Sequence, residues 1–240
     1  MTIKTVLALA GLLALASMPF SQSAQATVLT FGANFEFSGG TAPSGLAPWF
    51  TVTFDDHGGV GSVDFTLTAT NLTGAENVLS LYLNLDPALY GTLPLTFGGL
   101  VKTGSFDTPS ISQGIDAFKA DGDGTYDILL SFSPGGNVNK TFTQGDVLRY
   151  TIGAPGLTAA SFDFLSTPAG GHGPFHLAAH IQNTGGGEDS GWVTDSADGG
   201  PIVPEPASVS LAAVAFAVFF GVAIARRTRG RANSSCFHSQ

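Results

Sequence analysis

Asp121, Asp123 and Asp127 stand in the run Asp121-Gly122-Asp123-Gly124-Thr125-Tyr126-Asp127, and their spacing suits them to hold a cation. Carboxylates at alternate loop positions, with glycines that allow tight curvature, let several oxygens converge on one hard ion. The run matches the front half of a calcium loop, Asp-x-Asp-Gly-x-x-Asp. A complete EF-hand loop needs glutamate at its last position, where this chain has Phe132, so other loops would have to complete the shell. The same residues also read as a plain β-hairpin turn, because Asp-Gly is favoured where φ must be positive. Calcium is the cofactor this run suggests, and the turn is its alternative.

Other combinations are weaker. His172, His176 and His180 lie four apart, which on a helix would put three zinc ligands on one face. Gly170, Gly171, Gly173 and Pro174 oppose a helix there, Phe175 to Ile181 reads as a strand, and no glutamate follows His176 in the order a zinc protease needs. Asp55 and Asp56 are adjacent, so on a strand they point to opposite faces and make no acid/base pair. No nucleophile elbow, phosphate loop or dinucleotide fingerprint occurs. Asn71-Leu72-Thr73 matches a glycosylation sequon, a pattern common by chance. The expectation is a protein that is not an enzyme. A secreted hydrolase would need a catalytic set that these residues do not supply.

The elements that must position such residues are strands. Of 240 residues, 43% are hydrophobic, 19 are Phe, 32 are Gly and 13 are Pro, which suits short strands joined by turns around a real core. Thr51 to Phe54 and Val63 to Thr68 alternate apolar with polar. Further candidates are Leu79 to Leu85, Tyr126 to Phe132, Val147 to Ile152, Ser161 to Leu165 and Phe175 to Ile181. Turn clusters such as Asp55-Asp56-His57-Gly58-Gly59 and Ala154-Pro155-Gly156 separate them. The fold class expected for residues 27–184 is all-β, an antiparallel β-sandwich of jelly-roll-like type. Residues 185–202, rich in Gly and Asp, read as a flexible linker.

Charge and cysteine content exclude two classes. Between residues 27 and 202 seventeen acidic residues face four basic ones, a formal charge of −13. Such a surface repels phosphate backbones, so no nucleic-acid partner is expected. Cys236 is the one cysteine, so no intramolecular disulfide can form, and packing must hold the fold.

The ends point to export. Residues 1–26 read as a signal peptide: Lys4 is the positive start, Val6 to Ala16 the apolar run, and Ala24-Gln25-Ala26 a small-x-small cleavage pattern before Thr27. The expected partners at this step are the Sec translocon and signal peptidase. At the other end come Pro204-Glu205-Pro206, then nineteen uncharged residues from Ala207 to Ala225, then Arg226, Arg227, Arg229 and Arg231. As a helix this stretch just spans a bilayer, and the arginines would face the cytoplasm. The flanking prolines hold Glu205 extended, a form a protease cleft accepts.

This order resembles the sorting signal of the PEP-CTERM class, over about residues 203–231; the tail 232–240 runs on past the point where family tails usually stop. The resemblance implies an exosortase as partner, acting near Pro204-Glu205-Pro206 on a protein held briefly in the inner membrane. It also implies release to the cell surface or extracellular matrix, in bacteria that make exopolysaccharide. Phe118 to Leu130, Pro155-Gly156-Leu157-Thr158 and Ala178 to Gln182 resemble stretches of other proteins of this class, but imply no activity. The expectation is an exported, non-enzymatic surface or matrix protein, with a carbohydrate-binding module, calcium-dependent or not, as the alternative. Trp49 and Trp192 are the available sugar platforms.

Overall fold

The computed structural model describes residues 26–134, 139–187 and 189–195. Ala24 of the cleavage pattern, Pro204, Glu205 and Pro206, the expected transmembrane helix and the tail lie outside the described residues. Among the described residues no helix is long and apolar enough to cross a membrane.

Two antiparallel sheets face each other. The first has five strands in the order β1 (Val28–Gly32), β3 (Phe50–Asp55), β4 (Ser62–Ala69), β10 (Val147–Gly153) and β6 (Thr96–Thr103). The second runs β2 (Phe35–Glu36), β12 (Asp189–Thr194), β11 (Leu177–Thr184), β5 (Asn77–Leu83), β8 (Asp123–Ser131) and β7 (Ser110–Ala120), with β9 (Phe142–Thr143) also paired to β5. The expectation of an antiparallel β-sandwich holds.

The alternating residues explain the first sheet. Phe50, Val52 and Phe54 of β3, Val63, Phe65 and Leu67 of β4, and Leu148 and Ile152 of β10 turn inward and are fully buried. They meet Leu81, Ile128, Leu130 and Ile181 of the second sheet in one continuous core. Phe162 closes its end, stacked on Phe54 with ring centroids 4.0 Å apart. Burying one such aromatic ring contributes about 3 kcal/mol at 25 cal/mol per Å².

The second sheet is buried on its outer side as well. Phe37, Tyr82, Ala120, Tyr126, Phe175 and Ala178 form a separate cluster there, with Phe118, Leu129 and Trp192 packed against it. Because these strands are covered on both faces, Leu81 to Leu83 of β5 and Leu177 to Ala179 of β11 read as short apolar runs rather than alternation.

Two sequence expectations are corrected. Ser161 to Leu165 is not a strand: Ala159–Phe162 forms a 3₁₀ turn, with Thr158 and Ser161 capping one another. The linker expected at 185–202 starts too early. Gly185, Gly186 and Gly187 all have positive φ and make a hairpin turn that leads into β12, which pairs with β11 from Ala178↔Thr194 to Thr184↔Asp189. The domain therefore runs to Asp195 at least.

Candidate functional site

The outer face of the five-stranded sheet is open and polar. Pairing register sets its side chains in rows: Thr30, Thr53, Thr66, Arg149 and Val101 lie across the five strands, and beside them Val28, Asp55, Asp64, Thr151 and Gly98. Neighbours in a row are separated by about 4.8 Å, the spacing of paired strands. Thr30 and Thr53 hydrogen-bond through their hydroxyls at 3.0 Å.

His57 closes one end of this face. It sits in the β3–β4 turn with φ +50°, followed by Gly58 at +75°. Its backbone N–H donates to Asp55 Oδ1 at 2.8 Å, and the Asp56 carboxylate accepts from Gly58. The left-handed turn throws the imidazole back over the sheet. Nε2 meets Asp64 Oδ2 at 2.9 Å and Nδ1 lies 3.3 Å from Asp55 Oδ2. Thr151 donates its hydroxyl to Asp64 Oδ1 at 2.9 Å. The hydrogen bond to Asp64, then the charge of Asp55, raises the His57 pKa. The same bond, with that from Thr151, holds Asp64 below the usual carboxylate range.

Together with Thr53, Thr66, Gly99, Val101 and Arg149, these groups line an open cavity of about 320 Å³. Two carboxylates, one imidazole held toward its charged form and one guanidinium nearly cancel in charge. The site offers fixed acceptors, fixed donors and several hydroxyls on a rigid floor, which suits a neutral ligand rich in hydroxyl groups. It does not suit glycoside hydrolysis, which needs one carboxyl kept protonated to act as the acid; Asp64 is pushed the other way.

Asp121, Asp123 and Asp127 are not brought together. Asp121 and Gly122, with φ of +51° and +79°, are the two central residues of the β7–β8 hairpin turn. Asp123 turns to another loop, accepting from the backbone N–H groups of Gly171 and His172 and pairing with His172 Nδ1 at 2.7 Å. Asp127 accepts from Leu85 N at 2.9 Å, Asp116 N at 2.9 Å and the Tyr90 hydroxyl at 3.3 Å. Burial raises the Asp127 pKa in spite of these donors. Burial, then the charge of Asp127, pushes Tyr90 up to about 12. Among the described residues no group of three or more His, Cys, Asp or Glu side chains is placed to hold a metal ion.

The three histidines part in the same way. His172 pairs with Asp123, His176 bonds Asp195 at 2.6 Å and stacks on Phe31, and His180 stacks on Trp192 at 4.7 Å. Trp49 is buried and donates to the Gly45 carbonyl at 2.8 Å, so it is no sugar platform. Trp192 belongs to β12, half-buried between His180 and Tyr82. Asp55 and Asp56 do part to opposite sides: Asp55 faces the cavity and Asp56 is buried.

Sequence reasoning missed His57, Asp64, Arg149 and Thr151. The signal was present in the outward positions of two alternating segments joined by the Asp55–Gly59 turn, which makes Asp55 and Asp64 cross-strand partners.

No protein-family model matches the chain, and no curated protein matches it. Among solved structures it is similar to the CBM3a-L domain with flanking linkers from scaffoldin cipA of the cellulosome of Clostridium thermocellum. Identity is 15% over 77% of this chain and 97% of that one, with a TM-score of 0.28, and a likeness this slight carries no argument about function.

Proposed function

We propose that this chain is an exported, non-enzymatic surface or extracellular-matrix protein, and that the open face of its five-stranded sheet holds exopolysaccharide. Its leader is removed before Thr27, and an exosortase reads Pro204-Glu205-Pro206 while the C-terminal segment holds the chain in the inner membrane. The winding is jelly-roll-like, in keeping with a chain that crosses repeatedly between two sheets. One observation carries the polysaccharide reading: the His57–Asp55–Asp64 cluster and Arg149 sit over rows of threonines, near charge balance, in an open 320 Å³ cavity. A long neutral chain can follow a row whose members repeat at about 4.8 Å, making many weak contacts instead of one tight one.

The test is co-sedimentation of the exported protein with polysaccharide from the same cells. The wild type should pellet with it, and Asp64→Ala combined with Arg149→Ala should stay in solution while remaining folded, with a Tm lowered by only a few degrees. Equal pelleting of both proteins would remove the polysaccharide reading. Sorting is tested apart from it. Glu205→Ala should leave export intact and retain full-length protein in the membrane, whereas processing at the normal rate would show that no enzyme reads the segment.

A further inference from the structure

Asp56 is buried, yet its carboxylate is turned toward the start of the described chain. Oδ1 accepts from Thr27 N at 2.8 Å and from Gly58 N at 2.9 Å, and Oδ2 accepts from Ala159 N at 3.2 Å. The contact with Thr27 runs both ways, because Asp56 N donates to the Thr27 carbonyl at 3.3 Å. Ala26, one residue earlier, is exposed. Thr27 is thus fixed against a buried carboxylate at the residue that follows the Ala24-Gln25-Ala26 pattern.

We infer that removal of the leader turns this hydrogen bond into an ion pair, in which the new α-ammonium of Thr27 docks on the carboxylate of Asp56. The inference rests on the reading of residues 1–26 as a cleaved leader. Hydrolysis of the Ala26–Thr27 bond takes up one water: the hydroxyl completes a carboxylate on Ala26, and the amide nitrogen of Thr27 becomes an ammonium. The atom that held one proton toward Asp56 Oδ1 then carries three and a full charge. In the precursor the 2.8 Å bond already has an ionised acceptor; leader removal adds a full opposite charge on the donor, so Coulomb attraction is added to the hydrogen bond. Leader removal therefore locks β1 onto the β3–β4 turn, and the precursor lacks that lock.

The electrostatics agree. Burial alone would raise the Asp56 pKa, but the N–H groups of Thr27, Gly58 and Ala159, with His57 nearby, outweigh it and hold the carboxyl low. Other titratable groups near the pair are Asp55 and His57, which bond to each other on the outer face. An α-amine has a free pKa of about 8, and a carboxylate partner raises it in the folded chain. Its contribution is complete below about pH 8 and fades as pH rises through the folded value. The contribution of Asp56, whose folded value is lowered, is present above about pH 4 and fades as pH falls. The lock operates between these limits.

Two chains test this, one starting at Thr27 and one starting at Ala26, each continuing to Gln240 and prepared in detergent by cutting a fusion at the chosen bond. At pH 7 the Thr27 chain should melt several degrees higher, and the difference should vanish by pH 10. Asp56→Asn should abolish the difference. Should that variant fail to fold, acylation of the Thr27 α-amine in the wild type supplies the second measurement: at pH 7 it should react several-fold more slowly than the amine of a short peptide. Equal melting with equal acylation overturns the ion pair. Sequencing that finds exported protein starting elsewhere overturns the leader reading and with it the biological use of the pair, whereas a Thr27 start with equal melting and equal acylation overturns the pair alone.

Discussion

The two sheets differ in what covers their outer faces. On the second sheet, Tyr82, Tyr126, Phe37 and Phe175 build a satellite core, and even Trp192 is packed against it. On the first, threonines, Asp55, Asp64 and Arg149 face outward, and the His57 ring lies against Asp55 and Asp64 at one end. One outer face is covered by a second core and the other is open. Most of the aromatic residues that look ready to stack on a sugar are already in use inside the protein. The polar residues that look like ordinary surface line the cavity.

That contrast can be broken by substitution. Phe54→Ala in the central core should cost about 3–5 kcal/mol, and Tyr126→Ala in the satellite core should fall in the same range. Thr66→Ala on the open face should change stability by no more than about 0.5 kcal/mol. Urea unfolding of all three measures this. A cheap Tyr126→Ala would make the second sheet as open as the first, and an expensive Thr66→Ala would show the first to be covered.

Asp127 provides the next largest effect. Its carboxylate accepts the N–H groups of Leu85 and Asp116, so Asp127→Ala strands two buried or half-buried donors at about 1–3 kcal/mol each. Because burial raises its folded pKa, its influence is favourable below about pH 4, the unfolded value, and weakens as pH rises through the folded one. Stability should therefore depend less on pH above about 4 once Asp127 is replaced by Ala. Unfolding at stepped pH checks both statements.

Gly122→Ala tests the hairpin. Gly122 has φ +79°, and a methyl group added there would meet nothing within 4 Å, so the cost is one of backbone conformation, about 1 kcal/mol. Millimolar calcium should leave the Tm unchanged relative to EDTA, since the carboxylates of Asp123 and Asp127 have separate partners and Asp121 sits in the turn itself. A calcium-dependent rise abolished by Asp123→Ala would restore the metal reading.

The smallest effect concerns His57. Its folded pKa is raised by Asp64 and Asp55, so its contribution is complete below about pH 6.5 and lost as pH climbs through the folded value. The ring is exposed, and the wild type should lose only a degree or two of Tm across that range, a loss absent in His57→Gln.

Legibility in the sequence followed burial. β3 and β4 could be read from Thr51 to Phe54 and Val63 to Thr68, because one face of that sheet is core and the other is open. The edge strands β6 and β7 were missed, since Gly98, Gly99, Gln113 and Gly114 break any apolar alternation where there is little core to face. β12 was missed because Gly185-Gly186-Gly187 looks like a linker until the strand after it pairs. The Asp121-Gly122 turn was legible as a local feature. The Asp55, His57 and Asp64 cluster was not, because it depends on cross-strand register and on one left-handed residue, neither of which a single strand reveals.

The most direct measurement follows backbone amide shifts of the exported protein during titration with fragments of its cells' polysaccharide. The account predicts shifts confined to the outward positions of β3, β4 and β10, centred on Thr53, Asp64, Thr66 and Arg149, with His57 following. Shifts centred instead on His180 and Trp192, on the second sheet, would contradict it.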